Sequence, residues 1–331
     1  MSLAIQYSND IKNVSSIDII SILYITLPIS YFLLVFTEKT EREMVSFEGQ
    51  VVLITGAGRG LGFAYAQYVA RLGATVLIQD NGADSDGNGE DPQIAELAAE
   101  KLRLEGLDAR AVSADIGTRA GCHALVRSAL TINGRLDALI HNAGWVAYEG
   151  IEAVEESAFD QMMSIAAKAP LWLAQAAWPV MKAAGYGRIV MTTSCRALYP
   201  QYVQSGLASY AAAKMAVVGL MNVLASEGEK DGIIVNAVSP VAKTRMWGIE
   251  GEPDELRPID VAPGIAYLAS SQCKEGGWIL RAANGQFHAT KAMEAKGVDY
   301  PRDLRAVHIS TADEIAANWP LIAVSNVEPR S

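Results

Sequence analysis

The sequence predicts an α/β fold: a doubly wound parallel sheet in a single domain, with an apolar extension at its N-terminus. Two observations predict it. From Gln50 onward, short apolar runs rich in β-branched residues alternate with amphipathic helical segments, as in parallel sheets that helices cover on both faces. Hydrophobic residues make up 50% of the 331 residues, against 19% charged, which is enough to build one large core.

The strand candidates are short and apolar, as expected for strands that are buried on both faces. They are 51–55, 75–79, 109–113, 138–141, 188–192, 233–237 and 277–280. The helical patterns between them are 61–72, 94–105, 119–131, 157–184, 209–229 and 259–270. Residues 81–91 are polar and glycine-rich, so we expect a loop there.

Charge and cysteine content argue against several classes of function. The formal net charge is -10, and an acidic chain repels phosphate backbones, so nucleic acid is not an expected partner. Cys122, Cys195 and Cys273 show no metal-site spacing, and their odd number argues against a disulfide framework. The four histidines do not cluster, so we expect no metal. This use of cysteine favours a reducing compartment, the cytoplasm.

The N-terminal region allows two interpretations. Residues 19–36 read IISILYITLPISYFLLVF without a charge, a run at the lower limit of a membrane span. Lys39 and Arg42 follow it, which would leave the rest of the chain on the cytoplasmic side. Alternatively, Met44 is the natural start and residues 1–43 do not belong to the native protein. The mass of the native polypeptide distinguishes the two.

A glycine-rich loop follows the first strand candidate. The segment VVLITGAGRGLG places Gly56, Gly60 and Gly62 between a strand and an amphipathic helix, with Arg59 and Leu61 in the same turn. Glycine allows the backbone to turn tightly and to approach a pyrophosphate, and a helix N-terminus adds free N–H groups. Loop and context together predict a dinucleotide site.

Asp80 ends the second strand candidate, about 20 residues beyond the glycine loop. A carboxylate there accepts hydrogen bonds from both ribose hydroxyls of NAD and repels a 2′-phosphate. Arg59 favours NADP instead, because its guanidinium could bind such a phosphate. The sequence favours NAD over NADP as the cofactor.

Further cofactor-binding candidates follow the third and fourth strand candidates. Asp115 and Ile116 come after the third, where Asp115 is a candidate for the adenine edge or a helix N-cap. Asn142, Ala143 and Gly144 come after the fourth. Small residues there let a cofactor lie against the backbone, and the Asn142 amide can tie adjacent loops together.

Three polar side chains form the candidate chemical site. Tyr210 and Lys214 lie four residues apart on a predicted helix and so share one face. A nearby ammonium would lower the phenol pKa from about 10 by about 2–3, into a useful range for proton transfer. Ser194 ends the fifth strand candidate at the ligand-binding edge of the sheet. The neighbouring Thr193 is a competing hydroxyl, but strand neighbours point to opposite faces.

The motifs TGAGRGLG, HNAG, Ser194, YAAAK and NAVSP occur here in one order and resemble the short-chain dehydrogenase/reductase family from about Met44 to Gln286. The resemblance implies a Rossmann-like fold and a catalytic set of Ser194, Tyr210 and Lys214. It also implies that Lys214 binds the nicotinamide ribose, that the segment after Pro240 covers the nicotinamide, and that the protein is a homodimer or homotetramer.

A narrower resemblance involves QDNGADSDGNG, NAVSPVAKTRM and GGWILRAANGQFHATK. These segments are similar to the (3R)-hydroxyacyl-CoA dehydrogenase unit of peroxisomal multifunctional enzymes of type 2. The domain boundaries then become 1–43 for the apolar extension, 44–286 for the dinucleotide-binding catalytic domain and 287–331 for a C-terminal extension. That extension would cover a neighbouring subunit or close over the site.

The chain also departs from the family pattern. Ala166 stands where the family has a helical Asn in its proton relay, and His141 replaces the first Asn of NNAG. The segment between Ser194 and Tyr210 is longer than usual, which suggests an enlarged loop over the substrate. Aromatic residues expected either to line an apolar substrate pocket or to serve as packing are Trp145, Tyr199, Tyr202 and Trp247.

The sequence thus predicts an NAD-dependent oxidoreductase that interconverts a secondary alcohol and a ketone, a 3-hydroxyacyl-CoA or a similarly apolar substrate. No basic cluster in the sequence marks a site for CoA. Two alternatives stay open. One is an NAD-binding scaffold or sensor with little turnover, which Ala166 favours. The other is a membrane-tethered interaction protein that acts through residues 1–43.

Overall fold

Eight strands in the described part of the chain form one sheet in the order β3-β2-β1-β4-β5-β6-β7-β8. The computed structural model describes residues 44–249, 251–294, 296–304 and 308–323. Residues 1–43, and with them the candidate membrane span 19–36, lie outside the described residues. The strands are β1 Val51–Thr55, β2 Thr75–Gln79, β3 Ala109–Ala111, β4 Ala138–His141, β5 Gly187–Thr192, β6 Ile233–Val241, β7 Ile279–Ala283 and β8 Gln286–Thr290.

The sheet is parallel except for its last strand, β8, which runs antiparallel to β7. Every residue of β1, β4 and β5 is buried, because helices cover both faces of the sheet. The order reverses between β1 and β4, since β2 lies on one side of β1 and β4 on the other. Such a reversal opens a crevice at the carboxyl ends of the strands, where α/β sheets bind ligands.

The helices alternate with the strands along the chain. They are α1 Gly60–Arg71, α2 Gln93–Leu104, α3 Arg119–Asn133, α4 Glu156–Met163, α5 Ala169–Ala184, α6 Cys195–Leu198, α7 Ala208–Gly228, α8 Ala262–Ala269 and α9 Ala312–Ile322. Helices α3, α5 and α7 share one core cluster with the strands, through Leu125, Leu173 and Val217 among others. Helices α1 and α8 contact each other and pack on the sheet as well.

The α/β fold class predicted from the sequence is confirmed, and the predicted strands differ from the observed ones mainly at their ends. β6 runs on through Pro240 to Val241, beyond the predicted end at 237. β8 was missed because four of its five residues are exposed, so they carry no burial pattern. Helix α9 was missed as well, although Thr311 and Glu314 form a capping box at its start.

The predicted helix 157–184 is interrupted. It consists of α4, a π-helical turn over Ser164–Lys168 and α5. The backbone N–H of Ala169 bonds the carbonyl of Ser164, five residues back, which is the signature of a π turn. Apolar periodicity alone cannot detect such a turn, since one inserted residue merely rotates the pattern.

One described helix, Ala208–Asp231, is long and apolar enough to cross a membrane by length and composition alone. Within this fold its main part, α7, packs against β6 and the π turn. It carries both Tyr210 and Lys214, so its apolar character is that of a core helix beside the candidate site.

Candidate active site

A cavity of about 1190 Å³ opens at the carboxyl ends of the strands. Single small-molecule sites usually measure about 300–1,000 Å³, so this one has room for a dinucleotide together with a second ligand. The sequence-predicted site residues that line it are Gly56, Arg59, Gly60, Leu61, Asp80, Asp115, Ile116, Asn142, Ala143, Gly144, Ser194, Tyr210, Lys214 and Pro240.

The glycine loop is shaped by close backbone contacts. Gly56 has φ +64°, and a Cβ there would lie 2.7 Å from the Cα of Ala143. A Cβ at Gly62 would lie 2.1 Å from the carbonyl oxygen of Gly56. Gly62 does not line the cavity; its missing side chain lets α1 pack directly behind the turn.

Helix α1 begins at Gly60 with no side-chain cap, and Gly60 and Leu61 face the cavity. The first N–H groups of a helix lack intrahelical partners, and they carry a partial positive charge. An uncapped start beside a crevice therefore suits an anionic group such as the pyrophosphate of a dinucleotide. The residues at the start of α1 thus fit a dinucleotide cofactor.

Asp80 is held rigidly at the end of β2. Its Oδ2 accepts a hydrogen bond from Gly58 N at 2.9 Å, and its Oδ1 accepts one from Gly82 N at 2.8 Å. The carboxylate is thus fixed between the glycine loop and the loop after β2. Each oxygen keeps a second lone pair for a ribose hydroxyl.

Two arginines converge beside Asp80, of which the sequence singled out only Arg59. The Nη2 atoms of Arg59 and Arg245 donate to the carbonyl of Ala83 at 2.8 Å and 2.6 Å. Arg245 lies in the segment after Pro240, so no local pattern could place it near Ala83. Its guanidinium bridges the two loops that flank the cavity.

Asn142 and Asp115 hold the backbone around the cavity. Asn142 Nδ2 donates to the carbonyl of Gly56 at 3.0 Å, so the predicted tie between adjacent loops is present. Asp115 Oδ1 accepts from Gly117 N at 2.8 Å. The N-cap of α3 is Thr118 instead, which rules out the helix-cap interpretation of Asp115.

His141 is a buried structural residue rather than a proton carrier. Its Nε2 lies 3.1 Å from the carbonyl of Ile165 in the π turn, and its Nδ1 lies 3.0 Å from Thr55 Oγ1. Because a carbonyl only accepts, Nε2 carries the proton and Nδ1 accepts from the threonine hydroxyl. Burial lowers the pKa of His141 to about 3, helped by the charge of Lys214, so the imidazole is neutral at physiological pH.

Ser194, Tyr210 and Lys214 are brought together as predicted. Ser194 is hydrogen-bonded to the Tyr210 phenol, and the Lys214 Nζ lies 5.7 Å from the centroid of the Tyr210 ring. The Lys214 Nζ also donates to the carbonyl of Thr192 at 3.0 Å. A Cβ at Gly144 would lie 3.6 Å from the same Nζ, so the loop after β4 closes over the lysine.

The competing hydroxyl, Thr193, is engaged elsewhere. Its Oγ1 donates to the backbone carbonyl of Lys214 at 2.7 Å, which anchors α7 to the end of β5. Ser194 is the N-cap of α6, and its Oγ accepts from Arg196 N at 3.2 Å. The serine hydroxyl proton is then available to the Tyr210 phenol or to a bound substrate oxygen.

The predicted lowering of the Tyr210 pKa by the lysine is wrong for the chain without nucleotide. Burial raises the pKa of Tyr210, and the hydrogen bond from Ser194 and the charge of Arg196 only partly oppose it. Lys214 is only 3% exposed, and its own burial lowers its pKa to about 8. The spacing of Tyr210 and Lys214 does not reveal their desolvation, and burial shifts the pKa values of both side chains.

Ala166 lies in the π turn and packs with Trp145, Met162, Leu207 and Tyr210. It is 1% exposed and offers no side-chain hydrogen bond. The backbone carbonyl of the preceding residue, Ile165, accepts a hydrogen bond from His141.

The predicted aromatic residues divide into two groups. Trp145, Tyr202 and Trp247 line the cavity. Tyr199 does not, but its ring packs edge-on against Tyr202 with centroids 6.1 Å apart. Among the described residues, no group of three His, Cys, Asp or Glu side chains could hold a metal ion.

A family model described as short chain dehydrogenase matches residues 50–253. The chain belongs to the short-chain dehydrogenase family. Members are oxidoreductases that act on CH–OH groups, and they use NAD or NADP.

The predicted similarity to peroxisomal multifunctional enzyme type 2 is also confirmed. The mouse (Mus musculus) protein of that name is 36% identical over 242 residues, which cover 72% of this chain and 32% of the relative. The chain therefore spans about a third of that multifunctional relative.

Two crystal structures extend the comparison. A short chain dehydrogenase from Mycobacterium avium is 28% identical with a TM-score of 0.70, and the match covers 84% of this chain and 96% of that one. A metagenomic short-chain oxidoreductase in complex with NADP is 27% identical with a TM-score of 0.57, over 67% of this chain and 91% of that one.

Proposed function

We propose that this chain is an NAD-dependent oxidoreductase that interconverts a secondary alcohol and a ketone, with Tyr210 as the proton-transfer residue. The observation that carries the proposal is the convergence of Ser194, Tyr210 and Lys214 on one cavity with an uncapped helix N-terminus. The bound nicotinamide supplies or accepts the hydride in this reaction. The side chains of the protein must then position the substrate oxygen and move its proton.

In the reducing direction, Ser194 Oγ donates a hydrogen bond to the carbonyl oxygen of the substrate, and Tyr210 Oη delivers a proton to it. Burial keeps the phenol protonated at neutral pH, since its pKa is raised, which suits a proton donor. In the oxidising direction the same phenolic oxygen accepts the alcohol proton. The positive charge of a bound oxidised nicotinamide beside the ring would favour that role.

Lys214 is proposed to hold the nicotinamide ribose. Its ammonium has three N–H groups, one of which is directed at the Thr192 carbonyl. The others remain for the two ribose hydroxyls. The pyrophosphate is assigned to the glycine loop, where Gly56 and Gly60 line the cavity and Gly62 lets α1 pack behind the turn. The adenine end is assigned to Asp115 and Ile116.

The preference for NAD over NADP rests on Asp80, whose fixed carboxylate occupies the place of a 2′-phosphate. Arg59 and Arg245 oppose this preference only weakly, because both are directed at the Ala83 carbonyl. Asp80→Ala should relax the preference for NAD. If the ratio of kcat/KM for NAD and NADP is unchanged in this variant, Asp80 does not set the cofactor.

The test of the reaction is Tyr210→Phe, with Tyr267→Phe as the matched control. Tyr267 is 47% exposed on α8 and lies outside the cavity. Turnover of a panel of alcohols and ketones, followed as NADH absorbance, should fall by at least 100-fold, the order of a lost general acid, in Tyr210→Phe alone. Near-wild-type turnover in that variant would reject the mechanism. Nucleotide binding without turnover in the wild type would favour a cofactor-binding scaffold.

The substrate is proposed to be a 3-hydroxyacyl-CoA or a similarly apolar alcohol, in keeping with Trp145, Tyr202 and Trp247 in the cavity wall. A homodimer or homotetramer in the cytoplasm is proposed from the family. Attachment to a membrane through residues 19–36, with the catalytic domain cytoplasmic, is the alternative location. Fractionation of the native protein separates the two locations, and light scattering measures the assembly.

A further inference from the structure

Arg281, in the middle of β7, is the feature of the cavity that the proposed reaction does not use. Its guanidinium carbon lies 5.1 Å from the centroid of the Tyr199 ring and 5.5 Å from that of Tyr202. Its Nη2 is also 3.5 Å from Tyr202 Oη. Two aromatic rings thus hold the guanidinium in place while it lines the cavity.

Arg196 is a second arginine in the same part of the cavity wall. It follows Ser194 by two residues, and its Nη1 donates to the Tyr148 hydroxyl at 2.6 Å. Its charge acts on the Tyr210 phenol and lowers the phenol pKa. This guanidinium therefore lies close to the atoms that would bind the substrate oxygen.

Neither arginine has a carboxylate partner of its own. The ion pairs found between described residues do not include Arg196 or Arg281. The formal net charge of the chain is -10, so acidic partners are plentiful elsewhere. A partly buried arginine without a carboxylate partner keeps guanidinium donors available for an anionic ligand.

The carboxylates that line the cavity lie in the other half of the sheet. They are Asp80, Asp84, Glu90 and Asp115, from the loops after β2 and β3. Arg196 follows β5, and Arg281 lies in β7, on the far side of β1 and β4 in the strand order. The end assigned to the nucleotide ribose thus has carboxylates as well as Arg59 and Arg245, whereas the end assigned to the substrate has the two arginines and no lining carboxylate.

We propose that the substrate carries an anionic group, a carboxylate or a phosphate, and that Arg281 binds it with the help of Arg196. This inference rests on the proposed function and names the substrate class. Ser194 follows β5 and Arg281 lies in β7, two strands away in the sheet, which corresponds to about 10 Å at the usual strand spacing. The anion is therefore a separate part of the substrate from the carbinol carbon, and an apolar segment bridges the two. Arg281 sets specificity and takes no part in proton transfer.

Binding of non-reacting probes tests this without turnover. Hexanoate and hexanamide have the same carbon chain and differ in charge. Isothermal titration of the full chain, without nucleotide, should show hexanoate bound roughly tenfold tighter than hexanamide, as expected for one charge-assisted hydrogen-bonded pair. Arg281→Met should remove the difference and leave the affinity for hexanamide unchanged. Arg281→Lys should retain part of it.

Arg110→Met is the matched control, because Arg110 is an exposed arginine on β3 that pairs with Asp108 and does not line the cavity. It lowers the net charge equally and should leave the preference for hexanoate unchanged. Equal or undetectable binding of both probes to the wild type would overturn the inference. A preference that survives in Arg281→Met would also overturn it.

Coenzyme A as a competitor identifies the source of the anion. Displacement of hexanoate supports a phosphate of a carrier-bound substrate, and no displacement supports a carboxylate of the substrate itself. Because these measurements need no reaction, they separate the two proposals. If the wild type oxidises alcohols but binds both probes equally, only the anion site is refuted. If it prefers hexanoate but shows no turnover, only the proposed reaction is refuted.

Discussion

Replacing Lys214 by methionine should stabilise the protein at neutral pH, although it removes a proposed catalytic residue. Burial lowers the pKa of Lys214 from 10.5 to about 8. At about 1.36 kcal/mol for each tenfold change, holding the ammonium in the folded state at pH 7 costs about 3 kcal/mol. Methionine removes this cost. It also leaves the Thr192 carbonyl without its donor, which costs about 1 kcal/mol. The expected net gain is about 2 kcal/mol.

The pH dependence provides the sharper test. The folded-state pKa of Lys214 lies below its unfolded value, so the unfolded state binds more protons between pH 8 and 10.5. The wild type should therefore become more stable, relative to Lys214→Met, as the pH rises through this range. Other groups that titrate there, such as the Cys122 thiol with its pKa raised to about 12, are common to both proteins. They cancel in the difference.

Urea-induced unfolding of the full chain without nucleotide at pH 7, 8.5 and 10 measures both effects. Lys230→Met is the control, since Lys230 is exposed, and this variant should follow the wild type at every pH. A Lys214→Met protein that is less stable than the wild type at pH 7, with the same pH dependence, would refute the reasoning.

Three further predictions concern parts of the fold around the site. His141→Asn should lose less stability on acidification than the wild type between pH 6.5 and 3, because the wild-type imidazole with its pKa of about 3 resists protonation in the folded state; identical acid-unfolding curves would contradict this. Gly62→Ala should destabilise the chain by about 2 kcal/mol or more and weaken NAD binding, since its Cβ would lie 2.1 Å from the Gly56 carbonyl; calorimetry measures both. Thr311→Ala should cost about 1 kcal/mol and speed hydrogen exchange in α9 only, because it removes the cap.

The sequence was most informative where function depends on neighbours in the chain. The turn from β1 into α1 needs Gly56 and Gly62 at a set spacing, so the motif and its strand–helix context together predict where the dinucleotide is proposed to bind. Tyr210 and Lys214 are one helical turn apart, and Ser194 ends a strand that was recognisable from its composition. Each of these features is a local pattern that the fold then places at one edge of the sheet.

The sequence was uninformative where residues distant in the chain meet. Arg245 reaches the Ala83 carbonyl, and Arg281 packs against the rings of both Tyr199 and Tyr202. The basic end of the cavity, formed by Arg196 and Arg281, is likewise assembled by the order of the strands. The pKa of Tyr210 was mispredicted for a related reason, since the burial of a phenol depends on the packing of elements far apart in the chain.

The π turn at Ser164–Lys168 also affects how this chain should be compared and altered. A helical wheel drawn continuously from α4 into α5 assigns every position after the turn to a face rotated by about 100°, the angle of one residue. Deleting one residue there would restore a regular helix. The apolar side of α5 would keep its orientation towards the sheet, but the Ile165 carbonyl would return to the helix pattern and lose its bond to His141. The face on which a substitution in α5 lies must therefore be assigned by numbering helical positions from Ala169, not from the start of α4.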